Sequence, residues 1–260
     1  MKKVLTIAGS DCSGGAGIQA DIKTITAHKM YAMSAITALT AQNTTGIYGV
    51  MEVTTELVEK QLDCIFNDIY PDAIKIGMVS SIEIIEVIAK KLVDYNAKNI
   101  VIDPVMFSTS GHALMSKDAM SILITKLLPL ANIITPNIDE AKYLSGLLTI
   151  STTQDMLLAA EMISKNIKGW VLIKGGHLEH AADDLLFKDG EAIWFEGVKI
   201  DNANTHGTGC TLSSSIACNL ANGHTIEKSI AKAKGYITGA LKAQLNLGRG
   251  NGPLNHCYLL

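Results

Sequence analysis

The feature that most constrains the fold is a short apolar segment that recurs five times along the chain. Each copy is rich in Val, Ile and Leu and is closed by Gly, Pro, Asp or Asn, which is typical of a strand buried on both faces of a parallel sheet. The five segments are KVLTIAGSD from residue 3, DAIKIGMVS from 72, NIVIDPVM from 99, NIITPNIDE from 132 and WVLIKGGH from 170.

Helical patterns separate these segments. Apolar residues recur at three-to-four spacing in GIQADIKTITAHK, TELVEKQLDCIFNDI, SIEIIEVIAKKLVDY and MLLAAEMISKNIK, and residues 207–245 are mostly helical in pattern. Strands that alternate with helices predict an α/β fold with an open, mostly parallel sheet and helices on both faces. We also expect an edge hairpin over residues 184–197 that turns at Asp189-Gly190, and a small lid or dimer-facing flap within residues 31–53.

Composition and charge exclude several classes of function. A formal net charge of −3 and 5% aromatic residues argue against a nucleic-acid partner. The chain has no apolar run of 18 residues and no signal-peptide pattern, so we expect a cytoplasmic protein without a membrane partner. Its five cysteines are scattered, which argues against a disulfide framework or a structural zinc. No linker interrupts the chain, so we expect a single domain over residues 1–260.

Polar residues follow the predicted strands at the points where the strands end. Because the carboxyl ends of parallel strands share one edge of the sheet, where ligands bind, these residues are expected to meet. Carboxylates and an amide suit Mg²⁺, whereas a lysine suits phosphate oxygens. The set predicts phosphoryl transfer, and it comprises Asp103, Asn137, Glu140 and Lys174, with Gly9 and Met78 beside them.

Two glycine clusters precede predicted helices. In NTHGTGC, Gly207, Thr208 and Gly209 lead into a helix whose first-turn N–H groups are suited to an anion. The other cluster, GSDCSGGAG at residues 9–17, fits neither G-x-G-x-x-G nor the P-loop pattern, so it is expected to wrap an uncharged substrate. Asp21 stands one turn further on, and we expect it to face the same cavity.

Cys210 stands at the first turn of the helix that follows Gly209. A helix N-terminus lowers a thiol pKa, so Cys210 is a candidate base for a substrate hydroxyl. In the alternative interpretation, the backbone N–H of residue 210 does the chemistry and the side chain is a spacer. His206 is expected to fix the shape of this loop. We expect His112 in a flap, and His177 and His180 in a loop at the sheet edge.

Eight segments together resemble one known family, the hydroxymethylpyrimidine and phosphomethylpyrimidine kinases of thiamin biosynthesis, a branch of the ribokinase-like fold. The resemblance runs from residue 4 to about residue 256, with the motifs in order. The segments are LTIAGSDCSGGAGIQADIKT, ITALTAQNT, IKIGMV, VIDPVM, ITPNIDEA, VLIKGGH, HGTGCTLSSSIA and GRGNGPLNH.

The resemblance implies an ATP- and Mg²⁺-dependent enzyme, usually a homodimer, that phosphorylates 4-amino-5-hydroxymethyl-2-methylpyrimidine twice. It places the pyrimidine pocket at Gly9, Ala16, Asp21, Gln42, Met78 and Val105. It assigns ATP and its metal to Asp103, Asn137, Glu140 and Lys174, with the metal held by Asp103 and Glu140 through water. It makes Gly207, Thr208, Gly209 and Cys210 the anion hole, with Lys174 beside them in catalysis.

Two other functions stay open. A pyridoxine or pyridoxal kinase of the same branch would phosphorylate a hydroxymethyl group on a pyridine ring. Gln42 argues against it, because a side-chain amide suits the edge of an aminopyrimidine and a site built on hydrogen bonds rejects analogues that leave them unpaired. A non-catalytic pyrimidine-binding protein is the alternative from another class. It would be expected to lack the phosphate and metal residues, and here they are present.

Overall fold

The computed structural model of the protein describes residues 1–107, 114–176, 183–197, 200, 202 and 204–259. The histidines predicted in loops, His112, His177 and His180, lie outside these residues. In chain order the strands are β1 (Lys3–Ala8), β2 (Tyr31–Ile36), β3 (Ala38–Asn43), β4 (Gly46–Glu52), β5 (Ala73–Ile76), β6 (Ile100–Ile102), β7 (Ile133–Ile134), β8 (Trp170–Ile173), β9 (Asp184–Lys188) and β10 (Glu191–Phe195).

Eight of these strands form one central sheet in the order β10-β9-β8-β7-β6-β5-β1-β2. The strands from β2 to β8 in this order pair in parallel, and β9 and β10 add an antiparallel hairpin at the edge. The predicted α/β sheet and its edge hairpin are therefore confirmed. The predicted flap is smaller than residues 31–53, because β2 joins the central sheet and only β3 and β4 form a separate two-stranded sheet.

Helices cover both faces of the sheet. They are α1 (Gly17–Ala27), α2 (Thr55–Asp68), α3 (Ile82–Asp94), α4 (Lys117–Ile122), α5 (Ile138–Ser145), α6 (Thr153–Ser164), α7 (Thr208–Ala221) and α8 (Ile226–Lys242). A π-helical segment, Leu123–Leu127, and a 3-10 turn, Leu128–Leu130, continue α4. Side chains of Ser, Thr or Asn accept a first-turn N–H at six helix starts, which satisfies donors that the helix leaves unpaired.

The strand side chains alternate between two cores. Leu5 and Ile7 of β1 belong to the core formed with α2 and α3, whereas Val4 belongs to the core formed with α7 and α8. In a strand, every second side chain lies on the same face. Thr6 and its β5 neighbour Lys75 therefore share the face of Val4, and both are fully buried there.

The five predicted strands end at one edge of the sheet, and the polar loops begin there. β1 ends at Ala8, before Gly9, and β6 ends at Ile102, before Asp103; β8 ends at Ile173, before Lys174. This arrangement gathers the candidate residues around the start of α7. Among the described residues, no helix combines the length and apolar character needed to cross a bilayer.

Candidate active site

An ion pair between Asp103 and Lys174 lies at the centre of the site. Lys174 Nζ is 2.7 Å from Asp103 Oδ1, and the Thr135 hydroxyl donates to the same oxygen over 3.1 Å. Burial alone would lower the pKa of Lys174, but the carboxylates of Asp103 and Glu140 outweigh this effect and the pKa is raised. Lys174 is therefore a permanent cation at the sheet edge.

Glu140 and Asn137 start helix α5 as a reciprocal cap. The Asn137 side chain accepts the Glu140 N–H over 2.9 Å, and Glu140 Oε2 accepts the Asn137 N–H over 2.8 Å. Burial raises the pKa of Glu140, Lys174 opposes this shift, and the Asp103 carboxylate adds to it. The Asn137 amide oxygen is thus engaged in the cap. The negative charge of Glu140 is only partly stabilised, because burial and Asp103 outweigh Lys174.

The two buried carboxylates, Asp103 and Glu140, fit a hard divalent cation. The Asp103 carboxylate destabilises the charge of Glu140, and a cation beside both would relieve this repulsion. Mg²⁺ commonly takes one or two carboxylates and completes its shell with water and phosphate oxygens. Within the described part of the chain, no group of three or more His, Cys, Asp or Glu could hold a metal ion.

The first turn of α7 lies directly against this ion pair. A Cβ atom placed on Gly209 would be 3.0 Å from Asp103 Oδ2 and 3.4 Å from Lys174 Nζ. Gly207 is the N-cap residue of α7, and the Thr208 hydroxyl donates to Thr205 O over 2.6 Å. Unpaired N–H groups at a helix start favour an anion. The geometry suits a phosphate group between Lys174 and the first turn of α7.

We expect Gly209→Ala to lower kcat by about tenfold or more, because the new methyl group would press on Asp103 and Lys174 and displace the bound phosphate. Steady-state kinetics measures the effect. Gly235→Ala is the matched control: Gly235 is an exposed glycine within α8, and a Cβ there would have no atom within 4 Å. That variant should gain about 0.5–1 kcal/mol in unfolding free energy at unchanged kcat. A wild-type kcat for Gly209→Ala would argue against phosphate at this turn.

The pKa of Cys210 differs from the expectation based on its helix position. Burial raises the pKa of the thiol to about 11; the nearby Lys75 cation lowers it, and Asp21 and Asp103 raise it further. A backbone hydrogen bond from Gly17 also favours the thiolate. The predicted lowering is wrong, because desolvation and the two carboxylates outweigh Lys75 and the hydrogen bond from Gly17. In the protein without ligands, Cys210 is a neutral thiol at pH 7.

Asp21 lies beneath the site rather than in the substrate cavity. Its side chain is fully buried, and Oδ2 is 2.8 Å from Lys75 Nζ and accepts the Thr6 hydroxyl over 2.6 Å. Oδ1 accepts the Ser214 hydroxyl over 2.7 Å. The expectation that Asp21 faces the cavity is wrong, because the buried cation on β5 binds its carboxylate. A lysine within the apolar segment AIKI was the sequence signal for this pair.

Of the remaining predicted substrate residues, all but one lie at the loop of residues 9–17, and Val105 follows the end of β6. The Gly9 N–H donates to Met78 O over 3.2 Å, so these two residues are in contact. The Ala16 N–H donates to Asp11 Oδ2 over 2.8 Å, and the Val105 N–H donates to Asp103 O over 2.8 Å. Gln42 reaches the same region from β3, where its amide contacts His206.

Comparison with known proteins identifies the family. Residues 11–255 match the sequence model of a family described as phosphomethylpyrimidine kinase. The chain belongs to the phosphomethylpyrimidine kinase family. A hydroxymethylpyrimidine/phosphomethylpyrimidine kinase of Streptomyces coelicolor is 44% identical over 257 residues, which cover 99% of this chain and 95% of the relative.

Two solved structures place phosphomethylpyrimidine kinases and pyridoxal kinases on this fold. A phosphomethylpyrimidine kinase from Clostridium difficile 630 is 46% identical with a TM-score of 0.82, and the match covers 92% of this chain and 98% of that one. A Bacillus subtilis pyridoxal kinase in complex with ADP is 40% identical with a TM-score of 0.91, and the match covers 100% and 98%. The fold is therefore that of the ribokinase-like vitamin kinases, as the sequence predicts.

Proposed function

We propose that the protein phosphorylates 4-amino-5-hydroxymethyl-2-methylpyrimidine to its monophosphate and then to its diphosphate, with ATP as phosphate donor, in thiamin biosynthesis. The observation that carries the proposal is the position of Gly209 beside the Asp103–Lys174 ion pair, so close that a Cβ atom there would touch both side chains. It brings a cation, a carboxylate and a helix N-terminus to one point, which phosphoryl transfer requires. Membership of the family supports the same activity. We further propose that one domain carries it in the cytoplasm.

Each of these residues takes part in one aspect of phosphoryl transfer. Lys174 and the N–H groups of residues 207–210 bind phosphate oxygens and neutralise the charge that is transferred. Asp103 and Glu140 hold Mg²⁺ directly or through its waters, and Asn137 positions Glu140 through the cap on α5. When bound, the metal supplies further charge neutralisation at the phosphates. Since the protein mainly positions the reactants, small displacements at this point should have large effects on rate.

The pyrimidine would lie between the loop of residues 9–17 and the ends of β5 and β6. Met78 and Val105 are half-buried there and would cover the ring faces, while Gly9 and Ala16 bound the pocket. Gln42 would pair with the aminopyrimidine edge, which offers ring acceptors and an exocyclic donor. Asp21 takes no part in this contact, because its carboxylate is bound internally.

A second candidate function is phosphorylation of pyridoxal, which the likeness to the Bacillus subtilis pyridoxal kinase favours. A pyridine ring lacks the amino group that the Gln42 amide would pair. A buried amide left without its partner costs affinity, so pyridoxal should be the poorer substrate.

We expect purified protein with ATP and Mg²⁺ to convert the hydroxymethylpyrimidine first to the monophosphate and then to the diphosphate. The catalytic efficiency on pyridoxal should be at least about tenfold lower. Mass spectrometry of the products, with initial rates on each alcohol, measures both quantities. Equal or higher efficiency on pyridoxal would assign the protein to the second function.

We also propose a homodimer that forms through the sheet of β3 and β4. A two-stranded sheet is marginally stable alone, yet its paired residues Leu39 and Met51 are exposed, as is Tyr48.

We expect wild type to elute at twice the chain mass in light scattering, and Tyr48→Glu with Met51→Glu to shift it towards the monomer. Leu148→Glu, at an exposed apolar residue elsewhere, is the control. A wild-type monomer at working concentrations would refute the dimer.

A further inference from the structure

The loops of the substrate and phosphate regions are joined through one buried pair, Asp11 and His206. His206 Nε2 lies 2.9 Å from Asp11 Oδ2. The backbone of residue 206 is fixed as well, since its N–H donates to Gly252 O over 3.1 Å. A Cβ on Gly15 would collide with the His206 ring, so the two loops close tightly around it. The imidazole therefore has a fixed position next to the amide of Gln42.

Asp11 determines which ring nitrogen of His206 carries a proton. Its carboxylate also accepts the N–H groups of Ser13, Gly15 and Ala16 and the Ser13 hydroxyl. Burial by itself raises the pKa of Asp11, but the hydrogen bonds from His206, Ser13 and Ala16 outweigh it and hold the pKa below its usual range. An ionised carboxylate only accepts hydrogen bonds. His206 Nε2 must therefore bear a hydrogen and act as a donor.

Thr40 imposes an independent constraint on the other end of the Gln42 amide. The Thr40 hydroxyl donates to Ser10 O over 2.8 Å, and a carbonyl oxygen can only accept. A hydroxyl has one hydrogen, so towards Gln42 Thr40 Oγ1 is an acceptor. The amide atom that lies 3.2 Å from Thr40 Oγ1 must then be the nitrogen.

The His206 end of the Gln42 amide indicates the same orientation as the Thr40 end. The second amide atom lies 3.3 Å from His206 Nε2, whose single hydrogen is directed mainly to Asp11 Oδ2. A protonated ring nitrogen has no free lone pair, so an amide N–H there would find no acceptor, whereas an amide oxygen can share the hydrogen in a three-centre bond. In the structure the amide has the opposite orientation, with its oxygen at the Thr40 end. In that orientation two acceptors meet at Thr40 and two donors meet at His206. Amide oxygen and nitrogen are distinguished by their partners rather than by shape.

We infer that His206, held by Asp11, is a positioning residue that fixes the Gln42 amide with its oxygen towards the imidazole and its nitrogen towards Thr40, and so determines substrate specificity. The inference rests on the proposed function. After these two contacts, the amide retains one N–H and one oxygen lone pair for a ligand. With their positions fixed, the oxygen can accept from an amino group and the N–H can donate to the ring nitrogen beside it. A substrate ring whose donor and acceptor positions are exchanged would not match the amide.

The test compares the amino substrate with its 4-oxo analogue, in which an oxygen acceptor replaces the amino group and a ring N–H replaces the acceptor. We expect wild type to prefer the amino compound by at least about a hundredfold in kcat/KM. His206→Leu lets the amide rotate, so this preference should fall at least tenfold while the KM for ATP stays within about twofold. His206→Gln, which restores an N–H donor, should recover most of the preference.

Thr40→Val tests the other end of the amide and should narrow the preference in the same direction, whereas Thr40→Ser should keep it. His28→Leu is the matched control. His28 contacts Thr24 O of α1 with one ring nitrogen and the Ser215 hydroxyl of α7 with the other, and its loss should lower stability without changing the preference. An unchanged preference in either folded variant, or an equal loss on both compounds, would overturn the inference. If His206→Leu does not fold, Thr40→Val decides. A wild type inactive on the amino compound would refute the proposed function instead.

Discussion

Replacing Lys174 with alanine is expected to lower kcat/KM for ATP by about a thousandfold, while the KM for the pyrimidine changes by less than about threefold. Lys174 pairs with Asp103 and lies beside the first turn of α7, so its loss removes charge where we propose that the transferred phosphate binds. The proposed pyrimidine site lies at the other loops. Steady-state kinetics with each substrate varied in turn separates the two effects.

The same substitution should also destabilise the protein, and a second variant separates stability from catalysis. Asp103 is buried, and without Lys174 its carboxylate would have lost its cation, at a cost of about 3 kcal/mol in unfolding free energy. Lys174→Met combined with Asp103→Asn removes both charges, so stability should return while activity does not. Lys142→Ala, which breaks an exposed ion pair with Asp139, is the control and should leave ATP kinetics unchanged. Wild-type ATP kinetics for Lys174→Ala would show that the lysine only packs against the sheet.

The sequence could predict the central strands because most of their residues are apolar on both faces, although Thr6 interrupts the pattern in β1 and Lys75 in β5. β1, β5, β6 and β8 follow this pattern, and their pairing in one parallel sheet follows from the helices between them. The flap expected over residues 31–53 included β2, whose sequence YAMSAI is less uniformly apolar than the central strands. It lies at the edge of the sheet beside β1, where one long side is free and mixed polarity is tolerated.

In the site, too, some residues could be placed from the sequence and others could not. Asp103 and Lys174 could be predicted to meet, because each follows a strand and parallel strands end at one edge. Asp21 could not be placed, because a helix residue near the edge can point towards the cavity or into the core. The decisive partner, Lys75, comes from a strand distant in sequence. The Asp11–His206 pair joins residues 195 positions apart, which no local pattern reveals.

The last prediction concerns Cys210 and depends on pH. Burial raises the pKa of its thiol to about 11, so only about one molecule in ten thousand carries the proton-accepting thiolate at pH 7. The thiolate fraction rises about tenfold for each pH unit below that pKa. If Cys210 accepts the proton of the substrate hydroxyl, kcat of the first phosphorylation should rise with pH from 7 to 10 when chemistry is rate-limiting.

Cys210→Ala keeps the backbone N–H and removes the thiol, so it separates the base from the spacer. If Cys210 is the base, kcat of the wild type should rise steeply with pH while kcat of the variant stays constant. The wild-type kcat should then exceed that of the variant by at least about a hundredfold near pH 10. The KM for ATP should change little, because Lys174 and the N–H groups remain. Parallel profiles for the two proteins, with chemistry rate-limiting in both, would assign proton acceptance to another group or to the phosphate itself. Residue 210 would then contribute to catalysis only through its backbone N–H, which points at the anion from the first turn of α7.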